Sequence, residues 1–267
     1  MRTQIVVFVT LALMFFCAGC ATNPVTGANE LQLLGPDVKS DIPMGMEAAK
    51  SIEKEMGTSS TVPTPVQNYV NYVGQKIAAV SHNPELEWHF TALDSNTVNA
   101  FALPGGYIYV TTSMLKELKN ESQLAAIFAH EAVHVTARHS SSTISKQILT
   151  DTAITVATTE KTASAMKLAQ IVGQLEGLRY SRKHETESDR YGLDYLVAAG
   201  YNPNGMVETM EILNKLNESR PIEFFSTHPN PENRRELIIQ RIQEKGWQPL
   251  GLVGEQDYKK NVLSYFQ

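Results

Sequence analysis

The pentapeptide His130-Glu131-Ala132-Val133-His134 has the pattern H-E-x-x-H and lies in a stretch whose apolar residues recur at helical spacing. Two histidines four residues apart in a helix lie one turn above each other, so both imidazoles can reach a single metal ion. The Glu beside the first His is turned by about 100° around the helix axis, where its carboxylate can act on a water molecule without binding the metal itself. The pattern predicts a zinc-dependent hydrolase with His130 and His134 as ligands and Glu131 as general base.

A catalytic zinc site has three protein ligands and one open position, so a third ligand is needed. His139 follows His130 by nine residues and would lie on the opposite side of a continuous helix; we predict that it is a cap, a surface group or a neighbour of the ligands. Glu185 and Asp189 share one face of a later predicted helix. We predict Glu185 as the third ligand and Asp189 as the acceptor of an N–H group from a ligand imidazole. The alternative is an acidic helix face that pairs with neighbouring arginines.

The elements around the motif are predicted from periodicity and from turn residues. Asn120, with Gln123 three residues later, has the pattern of a capping box at the start of the motif helix. Further helices are predicted over 47–56, 66–80, 113–118, 178–199, 205–216 and from an Asn230-Pro231 cap to 245, and strands over 87–93, 100–103 and 107–110. These elements predict an α+β fold, mostly α-helical, with one small β-sheet beside the H-E-x-x-H helix. Segment 143–175 is consistent with a helical hairpin, a mobile lid or a membrane-facing segment.

Residues 1–19 have the features of a bacterial lipoprotein signal peptide. Arg2 precedes an uncharged, mostly apolar run that is too short to span a bilayer comfortably. The run ends in Cys17-Ala18-Gly19-Cys20, which resembles the lipobox, where the signal is cut before a Cys that then carries a diacylglycerol. The sequence therefore predicts lipidation of Cys20, a lipid-anchored tether over 20–45 and a zinc metallopeptidase domain over 46–267. The alternative is an ordinary signal peptide that is cut near Ala18 or Ala21.

The charge pattern limits the classes of partner. The net charge of −5 comes without a cluster of Lys and Arg, which predicts that the protein binds no nucleic acid. A second apolar stretch of about 18 residues is not found in the sequence, so membrane contact is predicted through the N-terminal lipid alone. Without the signal peptide, Cys20 is the only cysteine, and no disulfide is predicted.

Four motifs in the same order resemble family 48 of the metallopeptidases, gluzincins related to the CAAX prenyl proteases. They are the H-E-x-x-H motif with the following Arg138-His139, the segments 99–106 and 185–192, and Thr227-His228-Pro229. Asn23-Pro24-Val25-Thr26-Gly27 is similar to the start of the bacterial periplasmic lipoprotein members. The resemblance extends from about residue 20 to about residue 240. It implies a zincin-like fold, one Zn2+ per chain, and the type that lacks the tetratricopeptide array of some relatives.

The resemblance also implies roles for residues outside the ligand set. Asn99, Ala100 and Phe101 would lie on an edge strand that binds an extended substrate by β-augmentation; the alternative is an ordinary core hairpin. His228 would either occupy the open zinc position as a reversible plug or stabilise the transition state. Arg234 would stabilise the oxyanion.

The implied activity is that of an endopeptidase anchored by lipid at the periplasmic face of the bacterial outer membrane. Its substrates would be misfolded or unassembled envelope proteins, which makes its task protein quality control. Ala21, in place of the Asp that marks inner-membrane retention, favours the outer membrane. The alternative function is a non-proteolytic periplasmic chaperone or assembly adaptor with a plugged metal site.

Overall fold

The computed structural model describes residues 20–55, 61–155, 175, 177–229 and 233–266. The predicted signal peptide, residues 156–174 of segment 143–175 and the predicted Asn230-Pro231 cap lie outside the described residues. Within the described ranges, none of the helices combines the length and the apolar character that a membrane crossing requires.

Helices make up most of the described chain. In chain order they are α1 (Ile42–Glu55), α2 (Thr64–Ala78), α3 (Thr112–Glu117), α4 (Glu121–Thr136), α5 (His139–Thr155), α6 (Arg182–Ala198), α7 (Asn204–Ser219), α8 (Phe224–Thr227), α9 (Arg234–Glu244) and α10 (Glu255–Asn261). Short 3-10 helices span Val38–Asp41 and Leu263–Tyr265, and the strands are β1 (Cys20–Thr22), β2 (Asn29–Leu31), β3 (His89–Leu93), β4 (Ala100–Leu103) and β5 (Tyr107–Thr111). The predicted class, α+β and mostly α-helical, is confirmed.

The strands form two small sheets in the described residues. β1 and β2 pair antiparallel, with Cys20 opposite Leu31. The second sheet has the order β3-β5-β4, in which β3 is parallel and β4 antiparallel to β5. β4 and β5 are joined by Pro104-Gly105-Gly106, as the hairpin pattern predicts, and both glycines have positive φ angles, which a side chain would disfavour. This sheet lies beside α4, as predicted.

Helix α4, which carries the H-E-x-x-H motif, is the central element of the core. All of its residues are buried, whereas a surface helix would keep one polar face exposed. It packs against α2, α6, α7 and the β3–β5 sheet. Asn120 caps its start by accepting a hydrogen bond from the Gln123 backbone N–H, while the Gln123 side chain accepts from Lys119 instead of from the cap residue. A helix enclosed in this way holds its polar side chains away from water, so those side chains need partners within the protein.

Helix α6 packs closely against α4 at Gly192. A Cβ atom at this position would lie 3.0 Å from the backbone N of His130 and 3.1 Å from the carbonyl carbon and oxygen of Ala129. The absence of a side chain therefore lets the two helices approach at the level of the motif. α6 begins at Arg182, four residues later than predicted: Ser181 is its extended N-cap, and the Tyr180 N–H donates to the carbonyl of Thr227 outside the helix.

The N-terminal segment 20–45, predicted as a lipid-anchored tether, makes buried contacts with the helical domain. Arg138 donates to both carboxylate oxygens of Asp41, at 2.8 and 2.7 Å, and to the carbonyl of Gly35 at 2.9 Å. Arg138 has a φ of 57°, in the left-handed region, and it separates α4 from α5. The continuous helix from His130 to His139 that the sequence analysis assumed is therefore wrong, because the chain turns at Arg138. The role of the segment as a lipid-linked tether stays a prediction.

Candidate metal centre

Four helices bring the predicted site residues together. α4 carries His130, Glu131 and His134, and α6 carries Glu185 and Asp189. His130 and His134 are four residues apart, and so are Glu185 and Asp189. Each pair therefore lies on one face of its helix, and the two faces meet. His228, which follows α8, and Arg234, the first residue of α9, complete the cluster.

The side chains of His130, His134, Glu185 and His228 each direct one donor atom to a common point. These four atoms all lie within 4.8 Å of one another, and all four residues are buried. Nε2 of His130 lies 3.1 Å from Nε2 of His134 and 3.4 Å from Oε2 of Glu185. Nε2 of His134 lies 3.5 Å from Oε1 of Glu185. The two histidines and the Glu predicted as ligands are thus adjacent, and His228 adds a fourth donor.

The polar atoms of this cluster are incompletely satisfied by the described protein groups. Both carboxylate oxygens of Glu131, both of Glu185, and Nε2 of His228 are buried without a hydrogen-bond partner in the described part of the chain. Such groups are costly to bury unless something pairs with them. Three buried carboxyl groups, those of Glu131, Glu185 and Asp189, face one buried guanidinium, that of Arg234. A bound metal cation would compensate the excess negative charge, so the donor set fits a metal ion.

Asp189 and Arg234 contact the predicted ligands His130 and Glu185. The His130 Nδ1–H group donates to Oδ1 of Asp189 at 3.0 Å, which leaves Nε2 directed at the donor cluster. Arg234 donates to both oxygens of Asp189 at 2.7 Å, and its Nη1 lies 3.0 Å from Oε2 of Glu185. The guanidinium therefore contacts the two carboxylates. This geometry favours a positioning role for Arg234 over the oxyanion role that the resemblance implies.

The pKa values of the two motif histidines, His130 and His134, are shifted in opposite directions. Burial alone would lower the pKa of His130, but hydrogen bonds and charges from Asp189 and Glu185 raise it to about 9. Burial, together with the neighbouring imidazoles, holds the pKa of His134 well below its usual range. Burial would raise the pKa of Asp189, but the adjacent guanidinium of Arg234 lowers it to about 2, so this carboxylate is ionised. With a pKa of about 9, His130 carries a second proton at neutral pH when no metal ion is bound, and a metal ion that binds its Nε2 would have to displace that proton.

Glu131 and His228 lie next to each other at the donor cluster. Nε2 of His228 lies 3.4 Å from Oε1 of Glu131, and both side chains are fully buried. The ring of His228 stacks on Phe224, with centroids 4.5 Å apart, and Nδ1 lies 2.9 Å from the hydroxyl of Thr227. Nε2 of His228 is thus both one of the four converging donor atoms and a neighbour of the Glu131 carboxylate.

Tyr180, which was not predicted as part of the site, and His139, for which a place beside the ligands was one of the predicted alternatives, both contact His134. The ring of Tyr180 stacks on His134, with centroids 3.8 Å apart, and its hydroxyl pairs with Ser140 at 2.9 Å. The sequence pattern places Tyr180 in the predicted helix 178–199 and contains no signal that it lies at the site. His139 is buried and its Nδ1 lies 3.0 Å from Nδ1 of His134, although the spacing argument placed it across the helix. That argument fails because the helix breaks before His139.

The predicted substrate strand is an edge strand in the described sheet, but it is covered. All residues of β4 are buried, and so is Asn99. Phe101 stacks on Tyr109 with centroids 5.2 Å apart and belongs to an apolar cluster that includes Met44 and Leu178. A peptide could pair with β4 only if the groups that bury these residues moved.

The chain matches a family model described as Peptidase family M48 over residues 65–242. It is 26% identical to the beta-barrel assembly-enhancing protease of Yersinia pestis over 92% of this chain and 56% of that protein. The protein of the same name from Escherichia coli K12 is 27% identical over 86% of this chain and 50% of its own length. The mitochondrial metalloendopeptidase OMA1 of Schizosaccharomyces pombe is 33% identical over 77% of this chain and 60% of that protein. The chain thus spans between half and three fifths of the length of these relatives.

Proposed function

The chain belongs to peptidase family M48, and from this membership and the donor cluster we propose that it is a zinc-dependent endopeptidase that binds one zinc ion per chain. The observation that carries the proposal is the convergence of four buried donor atoms within 4.8 Å, next to the Glu131 carboxylate, which accepts no hydrogen bond from the described residues. Two imidazole nitrogens and a carboxylate oxygen, with a further position that can open, are the donor set of catalytic zinc sites. His130, His134 and Glu185 are the proposed ligands.

In this proposal each side chain has a separate task. Bound zinc supplies Lewis-acid polarisation of a scissile carbonyl and of a water molecule. Glu131 takes the proton of the attacking water and passes it to the leaving amine. Because Glu131 is fully buried and has no hydrogen-bond partner in the described residues, its carboxylate is ready to accept that proton. Asp189 fixes His130, and Arg234 fixes Asp189 and Glu185.

The relatives' names support the substrate class. Two of them are called beta-barrel assembly-enhancing proteases. We therefore propose misfolded or unassembled envelope proteins as substrates, bound in extended form along Asn99–Phe101 after the cover of β4 has moved. We further propose that a lipid on Cys20 anchors the protein at the periplasmic face of the outer membrane. Cys20 is exposed at the start of β1, where a lipid would not disturb the core.

The alternative is a chaperone or assembly adaptor whose metal site is permanently plugged by His228. The two functions differ in a cleavage assay with casein or an unfolded β-barrel protein. We expect the wild type to cut and Glu131→Gln to leave the substrate intact while it retains zinc. Glu211→Gln, which changes an exposed carboxylate on α7, serves as the matched control and should cut like the wild type. If neither the zinc-loaded wild type nor the zinc-loaded His228→Ala variant cleaves the substrate, the adaptor is favoured.

A further inference from the structure

We propose that His139 and Glu187 are positioning residues that orient the ligand His134 and slow the release of the metal; this inference rests on the proposed function. Nδ1 of His139 lies 3.0 Å from Nδ1 of His134, and Nε2 of His139 lies 3.2 Å from Oε2 of Glu187. The three side chains therefore form one hydrogen-bonded chain that starts at a ligand and ends at a carboxylate. His134 and His139 are buried, and the Glu187 side chain is 14% exposed.

The hydrogen bonds of this chain are consistent with only one arrangement of protons that leaves Nε2 of His134 free to bind metal. Nδ1 of His134 must then carry the proton and donate it to Nδ1 of His139. His139 consequently carries its own proton on Nε2 and donates it to Glu187. The carboxylate at the end thus selects the tautomer of His139, and His139 selects the tautomer of His134.

The two ligand histidines are supported in different ways. His130 donates directly to Asp189, which Arg234 holds in place. No carboxylate of the described residues reaches Nδ1 of His134, and His139 fills the gap between this ligand and Glu187. Direct carboxylate support of this kind is worth about 10–100-fold in metal affinity. We infer that the indirect support of His134 has an effect of the same order.

Glu187 is also tied to the N-terminal hairpin. Lys183 lies 3.5 Å from Oε1 of Glu187 and 3.0 Å from Oε1 of Glu30. Oε1 therefore meets the Lys while Oε2 accepts from His139, so the carboxylate is held at both oxygens. Because Lys183 is 59% exposed, we expect its own contribution to be small compared with that of the buried hydrogen bonds.

His184 provides a matched control for His139. The two rings stack with centroids 4.3 Å apart and an interplanar angle of 6°, and both are buried. The His184 side chain makes no hydrogen bond to His134, His139 or Glu187. Phe at either position keeps a planar ring in the stack, but only His139→Phe removes the two hydrogen bonds that define the proposal.

The experiment measures zinc release from the full chain into an excess of a chromogenic chelator by stopped flow. We expect release to be about 10–100-fold faster in His139→Phe and in Glu187→Ala than in the wild type. Glu187→Gln retains an oxygen that accepts from His139 and should restore release to within about threefold of the wild type, as should His184→Phe. The d–d absorption of the cobalt-substituted protein should shift in His139→Phe and Glu187→Ala, and it should be unchanged in Glu187→Gln and His184→Phe.

The outcomes separate this inference from the proposed function. A wild-type chain that binds no zinc would overturn both. Zinc-loaded His139→Phe and Glu187→Ala that release metal at the wild-type rate would overturn the positioning role alone. Equal acceleration in Glu187→Ala and Glu187→Gln would also overturn it, because the hydrogen bond would then be irrelevant. If His139→Phe fails to fold, the Glu187 pair, at a partly exposed position, still decides the matter.

Discussion

His228→Ala is expected to raise peptidase activity, because the wild-type side chain closes the position that the substrate carbonyl needs. Nε2 of His228 is one of the four converging donor atoms, and the side chain is fully buried. A bound zinc ion would be held by the imidazole of His228 in addition to the three proposed ligands. The active form of the enzyme would then be a minor population in which His228 has left the site.

The size of the effect follows from the contacts that hold His228. Its ring stacks on Phe224 at 4.5 Å, and such a pair contributes about 1 kcal/mol. The hydrogen bond between its Nδ1 and the Thr227 hydroxyl, at 2.9 Å, contributes about 1 kcal/mol more. If the closed form is favoured by about 2 kcal/mol, the open fraction is about 3%, and removal of the ring should raise activity about 30-fold.

The assay is the initial rate of cleavage of an unfolded protein at equal zinc occupancy. Thr227→Val removes the hydroxyl but keeps His228, so it should raise the rate in the same direction by about fivefold, which corresponds to about 1 kcal/mol. The opposite role for His228 is a hydrogen bond to the oxyanion of the transition state. Its removal would then lower the rate by about 10²–10³-fold with zinc fully bound. That result would refute the plug.

Three further outcomes are expected. Ala in place of any one of the three proposed protein ligands should abolish both zinc binding and cleavage, whereas His139→Ala should retain one zinc per chain in excess metal; elemental analysis of the purified variants checks this. Cys20→Ser should neither take up a labelled fatty acid nor remain in the membrane fraction, and label on the Ser variant would contradict the predicted processing site. Burial lowers the pKa of His82 below its usual 6.5, so the unfolded chain binds the proton first as the pH falls through that value, and stability decreases. His82→Gln should therefore lose less stability than the wild type between pH 7.5 and 5.5 in urea unfolding.

Local patterns predicted most of the helices, the β4–β5 hairpin and the side chains that converge at the site, but not α10 or the β1–β2 pair. The two histidines of α4 and the pair Glu185 and Asp189 are four residues apart, and a spacing of four places side chains on one face whatever surrounds the helix. The Asn120 cap likewise depends on a few neighbouring residues. These features could be predicted because helix geometry alone decides them. Their mutual approach depends on the close contact at Gly192, which the pattern does not contain.

The remaining parts of the site depend on tertiary contacts. Tyr180 reaches His134 because its backbone is bound to Thr227, 47 positions later in the chain. Arg234 could be predicted to lie near the site but not to face carboxylates, since its role depends on where Asp189 points. Each of these side chains is positioned by a residue distant in sequence, which no periodicity reveals.

The turn at Arg138 links the N-terminal segment to the orientation of a ligand. A left-handed backbone costs a side-chain-bearing residue about 1–2 kcal/mol, so Arg138 needs a compensating interaction. The bidentate pair with Asp41 and the hydrogen bond to Gly35 supply it, in a buried setting where such bonds are strong. The same turn directs His139 back toward His134. Residues that precede the predicted domain boundary at 46 therefore stabilise the turn on which the support of a proposed zinc ligand depends.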